Sequence, residues 1–418
     1  MLYIPFLYFT CILIYVIKKY GICISACMIG SYALSSFFSI ILYISNYNYF
    51  LVDFGKIEIT IIPTIIYCLL LTFSIYPFIR MDSHSEISIQ PIRNKKLFSL
   101  LTGIFFIAFI LLIFLFGKQF VFNLMFGDLG ELRTEALSSG QSVTDNLSGF
   151  SRIISTPVMI IGHVAYFAIP LFFYNLCFNP DKKIFNSILL LSSLSPVFLG
   201  VLNVDRSKTF YWVLLFIMCF FWFRKNLVEK SQRVFLKRIG FIVLGFLLLY
   251  FISVSISRFG ERDSGTEGGF VIYAGQSFLN FVNLWDNYNN PDFTFARVFP
   301  FFNYFLGSNI QVGDWNDIAY MKSGMHINIF FTYLGMFLVD LGKLSVFIAV
   351  FVVNRIASCL VRRQNNRSIT FLSDILVLFA VAIIVQCGVI SYFYSGIDRF
   401  IGLLFILLFC FIFKSNGD

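Results

Sequence analysis

Two arginines of this chain have the residue type and the placement that phosphate chemistry needs. Arg206 directly precedes one long apolar run, and Arg258 directly follows the next one. A guanidinium stays charged at any relevant pH and can bind a phosphate through two parallel hydrogen bonds. If the two runs form a membrane-spanning hairpin, both arginines emerge at the same membrane surface, where the phosphate of a lipid lies. Lys208 and Arg262 add positive charge beside them.

The same placement has a simpler explanation. Arginines at the ends of membrane spans often extend their side chains to the water interface and bind nothing specific. Lysine reaches the interface equally well, but it does not reproduce the planar, two-pronged bonding of arginine. The sequence alone leaves both explanations of Arg206 and Arg258 open.

The composition indicates which elements must position these arginines. Hydrophobic residues make up 58% of the chain and charged residues only 13%, roughly half the usual charged share of a globular domain. Apolar runs of a length that crosses a bilayer occupy most of the 418 residues. We therefore predict an all-α, polytopic integral membrane protein, with one domain over residues 1–418 and no separate soluble catalytic domain. The predicted spans, eleven in all, lie near 1–17, 21–45, 59–78, 97–116, 154–174, 185–202, 209–223, 240–257, 329–353, 369–392 and 400–413.

The loops between these runs alternate in charge. Most lysines and arginines lie in the loops at 18–19, 80–96, 182–183, 224–238, 355–367 and 414. Because basic loops stay on the cytoplasmic side, we expect the N-terminus outside and the C-terminus in the cytoplasm. The net charge of +9 then reflects topology and contact with anionic lipids, and it gives no reason to expect a nucleic-acid partner.

The stretch 258–328 is predicted to be one large extracytoplasmic loop. It is rich in Phe, Tyr and Trp, so we expect it to pack against the rest of the protein and not to be a plain linker. The apolar segment that follows holds Asp340 and Lys343, which a continuous helix would place on one face. Gly342 beside this pair predicts a break in the helix near residue 340.

Motifs for soluble chemistry are missing from the sequence. It has no Gly-rich phosphate loop with its lysine, no HExxH and no GxSxG. The three histidines lie in three separate segments, and the nine cysteines include no CxxC pair. We therefore predict no metal site, no cofactor and no disulfide framework.

In its layout and in a few motifs the chain resembles the O-antigen polymerase (Wzy-type) family of oligosaccharide repeat-unit polymerases. In that family an arginine begins a span in a pattern like VDRS around Arg206, and an outer-loop arginine is followed after ten residues by glycine, as Arg258 is by Gly269. An Asp-aromatic-Gly motif follows a Tyr-rich segment in the family. This chain has DLG at 340–342, with Leu in place of the usual Phe. The motifs cover roughly residues 200–345, and the layout covers the whole chain.

The resemblance implies glycosyl transfer at the periplasmic face of the bacterial inner membrane, by metal-independent chemistry similar to that of GT-C-like lipid-sugar transferases. One undecaprenyl-pyrophosphate-linked oligosaccharide would donate its anomeric carbon to a hydroxyl of a second one, releasing undecaprenyl pyrophosphate. Arg206 and Arg258 would hold the pyrophosphate, and His326 would orient or deprotonate the hydroxyl. The substrate-binding residues would be Lys208, Arg262, Gly269, Asn328 and Asp340. Membrane lipids and a chain-length regulator in the membrane are further expected partners.

Three other classes of protein share part of this pattern. An O-antigen ligase uses similar chemistry, but the weak sequence context of His326 and the VDLG segment favour a polymerase. A flippase for lipid-linked oligosaccharides should carry inward-facing charges along several spans and short outer loops, whereas the polar residues here concentrate in one outer loop. A purely structural membrane partner stays open on sequence grounds.

Overall fold

The structure is a computed structural model. It describes residues 1–49, 52–83, 88–92, 94–125, 149–203, 205–227, 265–289, 330–367 and 369–415, together with residues 236, 240, 245, 291, 295, 297–299, 302, 320–321 and 325.

Nearly all of the described chain is helical. The α-helices are α1 (Ile4–Tyr20), α2 (Ile24–Ile44), α3 (Ile61–Asp82), α4 (Lys95–Met125), α5 (Gly149–Val164), α6 (Ala168–Phe178), α7 (Lys183–Ser192), α8 (Ser195–Leu202), α9 (Arg206–Phe223), α10 (Gly265–Asn287), α11 (Thr332–Leu341), α12 (Lys343–Arg367), α13 (Leu372–Cys387) and α14 (Ile397–Ser415). Short 3-10 turns lie at Phe54–Lys56, Ala165–Phe167 and Phe393–Ser395. Four two-residue strands form an antiparallel pair, β1 (Asn48–Tyr49) with β2 (Val52–Asp53), and a parallel pair, β3 (Ser88–Ile89) with β4 (Ile369–Thr370).

Seven helical segments in the described part of the chain are long and apolar enough to cross a membrane. They are α2, α3, α4, α5 with α6, α7 with α8, α9 and α12. Large apolar side chains such as Phe114 and Ile348 are exposed on them, and a bilayer would cover these faces. In this part the chain therefore has the make-up of a helical, polytopic membrane protein, as its composition predicts. The predicted span at 240–257 lies outside the described residues, apart from isolated positions.

The helix break predicted near residue 340 is confirmed. Helix α11 ends at Leu341, Gly342 adopts φ +79°, and α12 begins at Lys343. Glycine suits this position because a left-handed backbone carries a steric penalty for other residues. The expectation that Asp340 and Lys343 share one helical face is wrong, because the break separates them. Asp340 is buried in α11, whereas Lys343 is exposed and its Nζ lies 5.7 Å from the centre of the Trp285 ring.

The chain divides into two compact units. Unit 1 comprises residues 1–87, 267–368 and 380–400, and unit 2 comprises residues 88–266, 369–379 and 401–418.

In unit 1, part of the predicted extracytoplasmic loop is a buried helix. Helix α10 occupies 23 residues of it, and Phe278 and Phe281 of this helix pack against the ring of Tyr67 in α3. The expected packing of the aromatic residues is thus confirmed for this helix. Its polar residues Gln276 and Asn280 are also buried. Because these residues interrupt the apolar sequence, α10 lacks the unbroken apolar run of an ordinary buried membrane helix.

Helices α2 and α10 cross in close contact at Gly275. A Cβ atom at this position would lie 2.5 Å from the backbone carbonyl of Phe38. The hydroxyl of Ser35 donates to the carbonyl of Ala274 at 2.9 Å, and that of Ser39 donates to the carbonyl of Gly275 at 2.5 Å. Small residues with interhelical hydrogen bonds are a usual way for helices to associate in membranes.

In unit 2, helix α4 packs against α5 and α8. Leu112 and Phe116 of α4 form a buried apolar cluster with Val158 of α5 and Phe198 and Leu199 of α8. The stacked rings of Phe120 and Phe198, 4.3 Å apart, extend the contact. This packing fixes α8, the helix that leads directly into α9.

The crossing at Gly275 predicts a large effect from one methyl group. Gly275→Ala should lower the stability of the protein by about 1–3 kcal/mol, because the new Cβ collides with backbone that cannot move aside. Gly30→Ala in α2 is the matched control, since its Cβ would only touch Leu13 at 3.9 Å and alanine is the better helix former. Apparent melting temperatures of the purified variants in detergent should separate the two. Equal melting temperatures would contradict the close crossing.

Candidate functional site

The start of α9 holds two basic side chains inside unit 2. Arg206 is the first residue of the helix, and it and Lys208 are only 7% and 5% exposed. Asp205 caps the helix: its Oδ1 accepts hydrogen bonds from Ser207 N at 3.0 Å and from Ser207 Oγ at 2.5 Å. Aspartate is a preferred residue at this capping position, so the sequence itself fixes where α9 begins.

The turn from α8 into α9 requires a glycine. The carbonyl of Gly200 accepts a hydrogen bond from Asp205 N at 2.7 Å. A Cβ at Gly200 would lie 2.8 Å from the carbonyl oxygen of Asp205 and 3.2 Å from Cβ of Lys208. Only a residue without a side chain lets α8 and the first turn of α9 approach this closely.

Two further side chains bind the main chain of this turn. The amide of Asn123 in α4 donates to the carbonyl of Leu202 at 3.2 Å, at the end of α8. The hydroxyl of Tyr166 donates to the carbonyl of Lys208 at 2.9 Å, in the first turn of α9. Asn123, Tyr166 and the two residues that accept their bonds are all buried, and buried polar groups are costly to leave unpaired. The start of α9 is therefore held from both sides.

The electrostatics of this turn favour an anion. Two cations lie within three residues of each other at a helix N-terminus, where the backbone amides add partial positive charge. Asp205 contributes one carboxylate, and its Oδ2 lies 4.0 Å from Lys208 Nζ, at the limit of an ion pair. Both basic side chains are buried in protein, whereas an arginine that only extends to the interface would be exposed.

In unit 1, Asp340 binds a segment of the predicted outer loop. Its Oδ2 accepts hydrogen bonds from Arg297 N and Val298 N, each at 2.7 Å. The side chain of Arg297 is 8% exposed. Burial lowers the pKa of Arg297 to about 10, against the opposing effect of the Asp340 carboxylate, so the guanidinium stays charged at neutral pH. Asp340 thus fixes the backbone of an arginine-bearing segment.

The structure places some of the sequence-predicted residues and not others. Arg206 and Lys208 lie together at the start of α9, in unit 2. Gly269 is buried in α10, and Asp340 lies at the end of α11, both in unit 1. The predicted residues outside the described part of the chain are Arg258, Arg262, His326 and Asn328.

Sequence reasoning missed the residues that support the site. Tyr166 lies 42 residues before Lys208, and Arg297 lies 43 residues before Asp340. Nothing in the sequence marks either pair. Gly200, five residues before Asp205, had a signal that could have been used, since a glycine shortly before aspartate, a preferred helix-capping residue, suggests a tight turn.

The fold and the site together define a class: a helical membrane protein with a buried basic turn at the start of one apolar helix. The basic turn is the first turn of α9, which carries Arg206 and Lys208. Comparison with protein-family models, with curated proteins and with solved structures finds no match for this chain. Among the described residues, no group of three or more His, Cys, Asp or Glu side chains is placed to hold a metal ion.

The geometry of the turn predicts that Gly200 is intolerant of substitution. Gly200→Ala should destabilise the protein by about 1–3 kcal/mol, because its Cβ would overlap the backbone of Asp205. Gly103→Ala in α4 is the control, since nothing lies within 4 Å of its Cβ position. Melting temperatures in detergent provide the measurement. If Gly200→Ala melts like Gly103→Ala, the turn is not as tight as described.

Proposed function

We propose that this protein polymerises undecaprenyl-pyrophosphate-linked oligosaccharide repeat units into O-antigen or a related surface polysaccharide, at the periplasmic face of the bacterial inner membrane. The proposal makes it a glycosyltransferase with a GT-C-like arrangement of helices. The observation that carries it is the burial of Arg206 and Lys208 in the first turn of an apolar, membrane-length helix. The pyrophosphate of a lipid is an anion that lies at the membrane surface, where membrane-length helices begin and end.

The proposed topology has eleven spans. Seven correspond to the membrane-length segments described above. We assign three more to α1, α13 and α14, of 17, 16 and 19 residues, and the last to the run at 240–257. In this topology the N-terminus and the start of α9 lie outside and the C-terminus lies in the cytoplasm.

The proposed reaction exchanges one bond at the anomeric carbon. The bond from this carbon to the pyrophosphate oxygen breaks, and a bond to the acceptor hydroxyl oxygen forms. Negative charge develops on the departing pyrophosphate, where Arg206 and Arg258 hold it and Lys208 and Arg262 add positive charge. The acceptor proton passes to a base, for which His326 is our candidate. The chemistry needs no metal or cofactor, because fixed cations meet the charge of the leaving group.

The substrate is amphiphilic, so the partners are of two kinds. Lipid-linked oligosaccharides and membrane lipids would contact the helices, and a chain-length regulator in the same membrane would set how many units are joined. Gly269, Asn328 and Asp340 are our remaining candidates for contacts with the substrate. For Asp340 this contact would be indirect, through the segment at Arg297 that it fixes.

A deletion strain tests the proposed function directly. Without the polymerase, lipopolysaccharide should carry a single repeat unit and the ladder of longer chains should be lost on a gel. Loss of the single-unit band as well would favour the flippase, because no repeat units would then reach the outer face. An unchanged ladder would refute both functions.

A substitution can distinguish pyrophosphate binding by Arg206 from mere extension of its side chain to the membrane interface. Arg206→Lys keeps the charge but loses the two-pronged geometry, so it should fail nearly as badly as Arg206→Ala, by roughly a hundredfold or more in rate. Arg152, exposed in the first turn of α5, is the matched control, and Arg152→Ala should leave the ladder intact. The ladder and the amount of protein in the membrane are measured together. A normal ladder from Arg206→Lys would refute the pyrophosphate role.

A further inference from the structure

Tyr166 makes a hydrogen bond to the main chain of the basic turn. The residue lies in the 3-10 turn at 165–167 between α5 and α6 and is 2% exposed. Its hydroxyl donates at 2.9 Å to the carbonyl of Lys208. This carbonyl belongs to the first turn of α9, the turn that also carries the side chains of Arg206 and Lys208.

The bond acts on the main chain of the basic turn. Because the acceptor is a backbone carbonyl, the bond fixes the turn and does not use the charge of either basic side chain. It also lies in a buried, low-dielectric region, where a hydrogen bond is stronger than at the surface. Tyr166 can therefore set the position from which the side chains of Arg206 and Lys208 extend.

The element that carries Tyr166 is itself held tightly. A Cβ at Gly162, one turn earlier, would lie 2.9 Å from Leu112 Cδ1 and 3.1 Å from Leu199 Cδ1. Ala165 and Phe167, on either side of Tyr166, are fully buried. Dense packing of this kind has low compressibility, so it keeps the residues it surrounds in place. Tyr166 is thus a rigid point of attachment for α9 and not an adaptable contact.

We propose that Tyr166 is a positioning residue for anion binding: through the Lys208 carbonyl it holds the first turn of α9 so that Arg206 and Lys208 meet the pyrophosphate of a lipid-linked substrate. This inference rests on the proposed function, since it takes that anion as the ligand. Tyr166 itself does not touch the substrate.

The chain offers a matched control for a merely structural role. Tyr174, in α6 of the same unit, is also 2% exposed, and its hydroxyl donates to the carbonyl of Gln90 at 2.6 Å. Tyr166→Phe and Tyr174→Phe each keep the ring and remove one hydroxyl bond to a backbone carbonyl. Both should lower the melting temperature by a similar amount. Only Tyr166→Phe should change anion binding.

The test uses the full-length protein in detergent and farnesyl pyrophosphate as the probe, with farnesol as the uncharged reference. Calorimetry gives Kd for the wild type, the two Phe variants, Arg206→Ala and the double variant Tyr166→Phe with Arg206→Ala. Tyr166→Phe should weaken binding about fivefold, and Tyr174→Phe should not weaken it. In the double variant the loss from Tyr166→Phe should be smaller than in the wild-type background, since one of the two side chains that Tyr166 positions is then absent. Binding is measured below the melting temperature of every variant.

Three kinds of result would overturn the inference, and they show whether the proposed function fails with it. If Arg206→Ala weakens binding but Tyr166→Phe and Tyr174→Phe both bind like the wild type, Tyr166 is only structural and the proposed function stands. Fully additive losses in the double variant would likewise contradict the positioning of Arg206, and with it the inference. If the wild type binds farnesyl pyrophosphate no better than farnesol, or Arg206→Ala has no effect, the anion site fails and the inference fails with it.

Discussion

A helix inside a membrane protein can end only where another group takes over its unpaired hydrogen bonds, because the bilayer offers no water to do so. Much of this structure depends on that constraint. In unit 1, α11 begins where Thr332 N donates to the carbonyl of Ile390 at 3.1 Å and Tyr333 N donates to that of Gly388 at 3.0 Å. The residues that follow α13 thus supply acceptors for the start of α11. Asp82 does the same for α2, accepting hydrogen bonds from Ser25 N at 2.9 Å and Ser25 Oγ at 2.6 Å.

The basic turn of unit 2 is another solution to the same constraint, with a chemical consequence. Asp205 accepts from the amide of Ser207 in α9, Asn123 donates to the carbonyl of Leu202 at the end of α8, and the Gly200 carbonyl accepts from Asp205 N. These bonds pair main-chain groups at the end of α8 and at the start of α9. A helix start completed in this way can hold charged side chains in place inside the protein, as the burial of Arg206 and Lys208 shows. The local folding problem and the proposed anion site therefore share one set of residues.

The sequence predicts what depends on neighbouring residues and misses what depends on distant ones. The apolar runs predict the membrane helices, and Gly342 predicts the break after α11. The packing of the aromatic residues of α10 was expected, but the helix itself was not, because its buried polar residues Gln276 and Asn280 look like those of a loop. The hydrogen bonds that Tyr166 donates and Asp340 accepts join segments more than forty residues apart, so no local sequence pattern predicts them.

The rigidity of the basic turn bears on the choice between the two functions that share its substrate. A flippase must open its binding site alternately to the two faces of the membrane, and the helices around the site then need alternative packings of similar energy. The start of α9 is held by Tyr166, Asn123 and the close contact at Gly200, and a shift of the turn would break all three at once. Catalysis by charge stabilisation makes the opposite demand, since cations that are already in place need no reorganisation when charge develops on the leaving group. A fixed basic turn therefore supports the transferase more than the transporter.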